Sequence, residues 1–493
     1  MNSKHFLAAY KVNMLSQELR AASQIVALVG LVFAILMLIP WLASIFTGWA
    51  GGEPFLWSGL TTGLGCTLVM VAGWGDTPRV TPRFGILVVN MLWWVLPLIC
   101  AIPLINSGVN FTFADALFEA TSGLTTTGST ILTDLVEQSR PVLLWRAIMQ
   151  WVGGLGILSL GLILLPFLRV GGMQLFRMES SDRSEKPLPR LIEISKSIII
   201  IYLILSVLCS ISYLSAGMAP FDALTHAMTT VSTGGFSTHD ESLGFYDNWK
   251  ILWVSIFFMI AGALPFSFFI AIFFARNLPR YDPQMVVFFA LIFMASTLVL
   301  LVDGWDNAVG FEGFSQYVFN VVAILTTTGY ASGNFMEYGG VGPVLFFFLI
   351  FIGGCAGSTS GGIKIYRFIV LGQLIRTSLQ ELIYSRGVFL MRYGKQVVDK
   401  DIFRSSMVVL SCFFAFLIIF TIILGSLGLD FITALSGAAT ALANVGPGIG
   451  DIIGPTGSFS TLGNAEKYVL VFVLAFYFLN ISDLLIVIVL LIH

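Results

Sequence analysis

Apolar windows of about 20 residues recur from one end to the other of this 493-residue chain. An α-helix rises about 1.5 Å per residue, so each window is long enough to cross about 30 Å of hydrocarbon. Charged side chains make up only 11% of the chain, against roughly a quarter in soluble domains. The sequence therefore predicts an all-α integral membrane protein and excludes an ordinary soluble one.

Ten membrane spans are predicted, and the charges on their flanks give an orientation. Lysine and arginine concentrate on one side of the spans, notably in 169–196 and 367–404. By the positive-inside rule this side is cytoplasmic, and an even number of crossings places both termini there. The N-terminus has no cleavage site, so we expect no signal peptide to be removed. The spans cover approximately 23–47, 55–74, 84–106, 142–168, 193–215, 249–275, 283–302, 341–383 (interrupted), 403–425 and 465–491.

The outer face carries most of the carboxylates, among them Asp134, Asp240, Asp303 and Asp451. Such a surface would concentrate cations at its mouth, and an ordinary solvated loop surface would have the same composition. Within the spans we find no charged pair that could bind an organic acid or amine.

The remaining candidate ligands and nucleophiles predict no redox, metal or catalytic centre. His226 is expected to be packed or hydrogen-bonded, and Asp115 and Asp222 to stabilise helix N-termini. The cysteines lie inside apolar segments without paired spacing, which predicts buried free thiols rather than disulfides or metal ligands. These cysteines are Cys66, Cys100, Cys209, Cys355 and Cys412.

Four outer segments are too short to span and too apolar to be ordinary loops. Each begins with apolar residues at helical spacing, ends in a Thr/Ser/Gly cluster and leads into the next span. We interpret each as a re-entrant half-helix. The segments are FADALFEATSGLTTTGST (113–130), APFDALTHAMTTVSTGGFST (219–238), SQYVFNVVAILTTTGYAS (315–332) and LDFITALSGAATALANVGPG (429–448).

The four segments align without gaps when Gly128, Gly235, Gly329 and Gly446 are placed in register. These glycines are 107, 94 and 117 residues apart, the length of a unit made of a membrane helix, a re-entrant helix with its loop, and a second membrane helix. The fold class predicted is thus four such repeats in series after two extra N-terminal helices. The predicted divisions are 1–75 for the helix pair and 84–168, 190–276, 283–385 and 400–493 for repeats 1 to 4.

Four Thr/Gly loops inside the bilayer need polar partners, because backbone N–H and C=O groups at membrane depth must contact protein, water or an ion. Glycine lets carbonyl groups turn to one side, threonine adds uncharged oxygens, and these oxygens can replace the hydration shell of a monovalent cation. The C-terminal ends of four short helices add negative potential there. The predicted cation-binding filter comprises Thr126, Thr127, Gly128, Thr233, Gly234, Gly235, Thr327, Thr328, Gly329, Asn444, Val445 and Gly446.

A single TTTG cluster would be better explained by close helix packing, for which small residues are common in membranes. Four clusters in register favour a filter instead. The filter clusters contain no ring of carboxylates, which argues against a calcium site and for weakly held monovalent ions.

The loops TTTGS, STGGF, TTTGY and NVGPG at 125–129, 232–236, 326–330 and 444–448 resemble the four filter loops of the Trk/Ktr/HKT potassium transporter family. In that family one chain supplies all four quadrants of a pore. The resemblance covers essentially the whole chain, and the extra N-terminal helix pair is similar to the bacterial TrkH branch.

The resemblance implies a potassium uptake subunit in a bacterial inner membrane, and a homodimer. A glycine in all four filter loops goes with potassium in the family, whereas serine in the first goes with sodium in some plant members. This chain has Gly128 there. The fourth loop is the most degenerate, with Asn444 where the others have threonine, so its function is the least secure.

The eighth span contains IFIGGCAGSTSGGIKIYR (350–367), where five glycines and two serines interrupt an apolar helix. Each glycine costs about 1 kcal/mol of helix stability relative to alanine, which predicts a break. The break resembles the intramembrane loop that the family uses as a gate, although a glycine-rich packing surface is an alternative. The predicted gate residues are Gly353, Gly354, Gly357, Ser358, Gly361 and Gly362.

The basic stretch from Arg367 to Arg404 is largely explained by the positive-inside rule. The resemblance adds a docking role there for a separate nucleotide-binding regulatory subunit of TrkA type. We expect membrane lipid around the protein and no nucleic-acid partner.

The last predicted helix departs from the family pattern. TrkH-type relatives carry a Gly-Arg-Leu-Glu segment whose arginine projects into the pore, and the matching residues here are Asn480, Ile481, Ser482 and Asp483. We expect a lower electrostatic barrier to permeation, or a compromised last helix if this C-terminal tail is not native.

The sequence thus predicts potassium uptake, by a channel-like or an ion-coupled route, with K⁺ as the transported ion and no tightly bound cofactor. The alternative is a secondary carrier for a small organic solute, since carriers also contain broken helices at the midplane. No nucleophile, metal cluster or base in the spans points to an enzyme.

Overall fold

The computed structural model describes residues 3–73, 82–164, 187–274, 282–303, 310–340, 342–384, 387, 389–394, 396–397 and 400–478. The described part is helical apart from one two-residue hairpin of Arg392–Tyr393 and Gln396–Val397. The prediction of an all-α fold is therefore confirmed. The predicted departure at Ile481 lies outside the described residues.

Sixteen α-helices are described. They are α1 (Ser3–Thr47), α2 (Glu53–Ala72), α3 (Pro82–Asn106), α4 (Phe113–Leu124), α5 (Arg140–Leu164), α6 (Pro187–Ser215), α7 (Pro220–Val231), α8 (Trp249–Ala263), α9 (Phe266–Phe273), α10 (Pro283–Asp303), α11 (Gly310–Leu325), α12 (Gly342–Ile352), α13 (Ile365–Ile383), α14 (Lys400–Ser426), α15 (Phe431–Ala443) and α16 (Asn464–Phe478).

Six of the described helices are long and apolar enough to cross a membrane: α1, α2, α3, α6, α10 and α14. They carry exposed apolar side chains such as Leu28, Ile35, Leu301 and Ile422, which lipid would cover. The predicted spans at 142–168 and 465–491 run beyond the residues whose side chains are described. The cysteines are free, as predicted, and all but Cys412 are fully buried.

The predicted span at 249–275 contains a sharp bend that the sequence did not predict. The chain ends α8 at Ala263 and begins α9 at Phe266, and the two helices meet at 93°. Pro265 explains the break because it has no N–H to donate to the preceding turn. The carbonyls left at the end of α8 accept other partners: Ala263 accepts the Cys355 N–H at 3.0 Å, and Gly262 accepts the Thr359 N–H at 3.2 Å.

The interruption predicted in the eighth span is confirmed. Residues 353–364 separate α12 from α13 and form no helix. Four of them, Gly353, Gly357, Gly362 and Lys364, have φ between 74° and 78°. That left-handed conformation is incompatible with a continuous α-helix.

The four predicted re-entrant segments are the short helices α4, α7, α11 and α15. They contain 12, 12, 16 and 13 residues. At about 1.5 Å per residue they reach about 18 to 24 Å, too short to cross about 30 Å of hydrocarbon. The residues at the C-terminal ends of these helices are mostly buried, and the predicted filter residues come directly after them.

Capping fixes where two of these helices begin. Thr112 and Asp115 form a reciprocal capping box at the start of α4. Asp430 caps α15, accepting the N–H groups of Ile432 and Thr433 at 3.1 Å each. Hydrogen bonds from Thr433 and then Ile432 lower the pKa of the exposed Asp430 carboxyl.

The short helices pack in a closed cycle. Each contacts the two helices that flank it in sequence, and each also contacts a helix of the preceding repeat: α7 packs on α5, α11 on α8, α15 on α12, and α4 on α16. The last contact joins the two ends of the series. The arrangement therefore surrounds a single axis.

An ion pair locks the closing contact between α4 and α16. Lys467 Nζ lies 2.8 Å from Asp115 Oδ1, and both side chains are largely buried. Replacing Lys467 by Met is expected to cost about 3 to 5 kcal/mol because it leaves Asp115 uncompensated. The double variant Asp115→Asn/Lys467→Met should recover most of that loss. Thermal unfolding in detergent measures both.

Lys250→Met is the matched control for that prediction, because Lys250 is exposed. It should change stability by less than about 0.5 kcal/mol. A Lys467→Met variant as stable as Lys250→Met would contradict the prediction.

Candidate ion-conduction site

The four predicted filter loops share one backbone conformation. The residue two before each glycine is left-handed, with φ of 57° at Thr126, 52° at Thr233, 57° at Thr327 and 59° at Asn444. The glycines Gly128, Gly235, Gly329 and Gly446 are also left-handed, with φ of 89°, 80°, 76° and 106°. A left-handed β-branched residue is a genuine outlier. Its occurrence at the same position in three loops marks a functional constraint.

The N–H groups of the loops bond back to their own short helices. Thr127 donates to Ser122 at 3.0 Å, and Gly234 donates to Thr229 at 2.8 Å. In the third and fourth loops Thr328 donates to Ala323 at 2.9 Å and Val445 donates to Thr440 at 3.1 Å.

A trans peptide unit points its C=O opposite to its N–H. The carbonyls of the four left-handed residues therefore point away from the short helices. These four carbonyls belong to Thr126, Thr233, Thr327 and Asn444.

The glycines form a ring in which each touches the next loop. A Cβ on any of them would lie within 3.0 Å of a carbonyl oxygen, closer than real Cβ contacts. The oxygens are those of Gly234 for Gly128, Thr328 for Gly235, Val445 for Gly329 and Thr127 for Gly446. The fourth contact returns to the first loop, so the loops converge around one narrow axis and glycine is required by close approach.

The residue after each glycine reaches the preceding repeat. Ser129 Oγ donates to the Gly446 carbonyl at 2.9 Å, and the Tyr330 hydroxyl lies 2.5 Å from Thr229 Oγ1. The Arg146 guanidinium lies 4.1 Å from the Phe236 ring centroid. Hydrogen bonds and stacking thus tie neighbouring loops together outside the axis.

A cavity of about 380 Å³ opens on one side of the glycine ring. All four glycines line it, together with Asp134, Asp240, His239 and Arg146. Two of the carboxylates predicted for the outer face, Asp134 and Asp240, therefore line this cavity, which we call the mouth.

The predicted gate residues form a loop on the opposite side of the ring. The loop is closed at its neck, since Ile363 N–H donates to Phe351 at 3.0 Å and Lys364 N–H to Ile352 at 2.9 Å. A Cβ on Gly362 would lie 2.5 Å from Gly353 Cα, so only glycine fits this neck. We call residues 353–364 the gate loop.

The gate loop is hydrogen-bonded to the filter loops. Thr359 Oγ1 lies 3.2 Å from Thr233 Oγ1, and the Gly361 N–H donates to Thr327 Oγ1 at 2.5 Å. Both filter threonines belong to the left-handed set. The gate loop therefore contacts the side-chain hydroxyls of two of the four left-handed residues.

Further bonds extend this contact to the ends of the short helices. Ser360 Oγ donates to the Thr326 carbonyl at 2.8 Å, and the Gly362 N–H donates to the Ala443 carbonyl at 2.7 Å. Lys364 Nζ folds back to donate to the Ser360 carbonyl. Sequence reasoning missed Thr359, Ser360 and Lys364, since its candidates were chosen for flexibility rather than for polar groups.

Asn444 is the fourth left-handed residue, and its side chain contacts the first loop. Its Oδ1 accepts the Thr127 hydroxyl, and its Nδ2 lies 3.4 Å from Thr126 Oγ1. The fourth loop, whose function is the least secure prediction, is left-handed at the same positions as the other loops. The Asn444 amide connects it to the first loop.

Sequence reasoning also missed the charged and amide side chains behind the first two loops. Glu119, on the short helix α4, and Arg146, on α5, form a buried ion pair at 2.7 Å and neutralise each other. Gln150 Nε2 donates to the Gly234 carbonyl at 2.6 Å, and its Oε1 accepts the Phe236 N–H at 3.0 Å. His226 is hydrogen-bonded, as predicted, to Ser237 and the Asp222 carbonyl.

Comparison with known protein families decides what this arrangement is. The TrkH family, described as cation transport protein, matches residues 70–477. The chain belongs to the TrkH family. The match begins near the end of α2 and continues through α16, so it includes all four filter loops and the gate loop.

Relatives within the TrkH family extend the likeness to nearly the whole chain. The Trk system potassium uptake protein TrkI of Halomonas elongata is 41% identical over 91% of this chain and 91% of its own. The Trk system potassium uptake protein TrkH of Vibrio parahaemolyticus is 33% identical over 95% of this chain and 98% of its own. The crystal structure of the potassium transporter TrkH from Vibrio parahaemolyticus superposes with a TM-score of 0.87 at 30% identity, covering 95% and 98% of the two chains.

Proposed function

We propose that this TrkH-family protein takes up potassium ions across a bacterial inner membrane through the ring of four filter loops. The observation that carries the proposal is the closed cycle of the four loops, in which each filter glycine lies against a carbonyl oxygen of the neighbouring loop and the carbonyls of the left-handed residues point away from the short helices. Uncharged oxygens so arranged replace the hydration shell of a monovalent cation. The relatives named as potassium uptake proteins support K⁺ as that cation.

The filter residues are those predicted from the sequence: three consecutive residues ending at each glycine. Asn444 substitutes for threonine in the fourth loop by pairing with the first. The mouth lined by Asp134 and Asp240 faces outside, and the gate loop lies on the cytoplasmic side. Both termini are cytoplasmic in this orientation.

The gate loop closes the cytoplasmic side. Its bonds to Thr233 and Thr327 occupy groups at the inner end of the filter, so an ion cannot leave until the loop moves. The carbonyls that hold the loop, Gly262 and Ala263, lie at the bend between α8 and α9. Movement of that bend would release the loop.

The protein acts as a homodimer and is regulated by a cytoplasmic nucleotide-binding subunit of TrkA type. Basic residues such as Arg376 and Arg392, on and after α13, give that subunit a surface next to the gate loop. The relatives' designation as parts of a Trk system supports a multi-component assembly. The protein performs no covalent chemistry.

Potassium uptake is tested by rescue. Expression in a potassium-uptake-deficient bacterium should restore growth at micromolar to millimolar K⁺, and purified protein in liposomes should pass K⁺ or Rb⁺. Reversal potentials in a K⁺/Na⁺ gradient give the selectivity. Failure of rescue together with absence of Rb⁺ flux would contradict the proposal, and flux of an organic solute instead would favour a carrier.

A further inference from the structure

In three of the four repeats the residue nine before the filter glycine is polar and buried: Glu119, His226 and Asn320. Each side chain leaves its short helix and bonds to the segment that follows the filter glycine. Glu119 accepts the Ile131 N–H at 2.8 Å, and Asn320 accepts the Ser332 N–H at 3.0 Å.

In the second and fourth repeats, different side chains of the short helix contact the segment that follows the filter glycine. His226 Nε2 lies 3.0 Å from Ser237 Oγ. The fourth repeat has Gly437 at this position, and the adjacent Ser436 donates instead to the Ile449 carbonyl at 3.1 Å. Four different side chains therefore make one kind of connection, a brace between the short helix and the outer end of the filter.

The brace of the first repeat is the strongest because it is charged. Arg146 Nε donates to Glu119 Oε1 at 2.7 Å, with side-chain exposures of 1% and 0%. The Thr130 hydroxyl donates to Glu119 at 2.9 Å and accepts Arg146 Nη2 at 3.0 Å. Charge-assisted bonds of this kind are about twice as strong as neutral ones.

Arg146 also joins the first repeat to the second. Its Nη1 donates to the Ser237 carbonyl at 3.0 Å, and its guanidinium covers the Phe236 ring. Both residues directly follow Gly235 in the chain. One side chain thus holds the outer ends of two adjacent filter loops.

Burying such a pair is a poor way to gain stability, because the desolvation of both charges offsets their attraction. The ion pair affects the geometry of the loops more than their stability. A planar guanidinium with several fixed donors sets the distances between the groups that it contacts. Cation selectivity depends on those distances when oxygens replace a hydration shell.

We propose that Glu119 and Arg146 are positioning residues for ion selectivity, and that His226, Asn320 and Ser436 are their weaker counterparts in the other repeats. The inference rests on the proposed function and specifies how its filter is held. Neither Glu119 nor Arg146 contacts the ion. They fix the outer ends of the loops whose oxygens do.

The test is the K⁺/Na⁺ permeability ratio of the double variant Glu119→Gln/Arg146→Met, from reversal potentials in liposomes or planar bilayers. Removing both charges together avoids leaving one buried without its partner, so the protein should fold. We expect the ratio to fall by about tenfold while current persists. The matched control is Asp115→Asn/Lys467→Met, which removes another buried pair, one turn earlier in α4, and should keep the ratio within about twofold.

A second, milder variant covers the case in which the double variant is not produced. Thr130→Val removes the hydroxyl shared by Glu119 and Arg146 and nearly keeps the side-chain volume. It should lower the ratio by about threefold. Asn320→Leu should have a similar effect through the third repeat.

An unchanged ratio in Glu119→Gln/Arg146→Met, or in Thr130→Val, would overturn the inference. An equal fall in Asp115→Asn/Lys467→Met would also overturn it, because general loosening of α4 would then explain the effect. A wild-type protein without K⁺-selective current would contradict the proposed function itself, and the inference with it.

Discussion

Replacing Gly235 by alanine is expected to reduce K⁺ uptake by about tenfold or more. A Cβ at this position would overlap the Thr328 carbonyl oxygen of the next loop, and the left-handed φ of 80° is unfavourable for alanine. The overlap involves backbone on both sides, so no side chain can rotate to relieve it. Rb⁺ uptake into liposomes, normalised to protein, is the measurement.

The same substitution at the other filter glycines should give a graded series. The overlap is tightest at Gly235 and Gly329, looser at Gly128 and loosest at Gly446, where the Cβ would lie 2.7 Å from the Thr127 oxygen. The loss of uptake should follow this order.

Gly65→Ala is the control for the series. Gly65 lies within α2, and a Cβ there would meet nothing within 4 Å. Uptake should stay at the wild-type level. Normal uptake by a Gly235→Ala protein present in normal amount would contradict the filter assignment.

Loosening the gate loop should have the opposite effect. In Thr359→Val the side chain keeps its shape and loses its hydroxyl bonds to Thr233 and to the Gly262 carbonyl, which is 2.9 Å away. Each lost bond destabilises the closed position by about 1 kcal/mol and should raise the open population about fivefold. Basal Rb⁺ flux should therefore rise, and further in Thr359→Val/Ser360→Ala.

The K⁺/Na⁺ ratio separates gating from damage to the filter. If the gate loop only closes the inner end, the ratio should stay within about twofold of wild type while flux rises. Thr377→Val is the matched control, since among the described residues the Thr377 hydroxyl bonds to Gln373 and Leu374, both within α13. Unchanged or lower flux in Thr359→Val would refute the assignment of 353–364 as a gate.

Local features could be predicted from the sequence because their causes are local. Apolar length alone indicated a membrane protein, and the four short helices followed from segments too apolar for loops and too short for spans. The register of the glycines located the four filter positions, where the structure shows that close approach and positive φ both require glycine. The break at 353–364 followed from glycine content alone.

The braces could have been found in the same alignment, because Glu119, His226 and Asn320 occupy one register position. Sequence spacing does not indicate what a polar side chain on a short helix will contact. The shared register position therefore did not predict the braces. The partner of Glu119 lies 27 residues away, on α5.

Features that depend on distant parts of the chain were decided only by the tertiary structure. The bend at Pro265 was missed because its freed carbonyls are satisfied by the gate loop, about 90 residues later. The role of Asn444 required contact with the first loop, 317 residues earlier. The sequence by itself determined where the four filter glycines and the four short helices lie. Which loop meets which, and which charges hold them, depended on packing, because hydrogen bonds and ion pairs form between groups that share space rather than sequence.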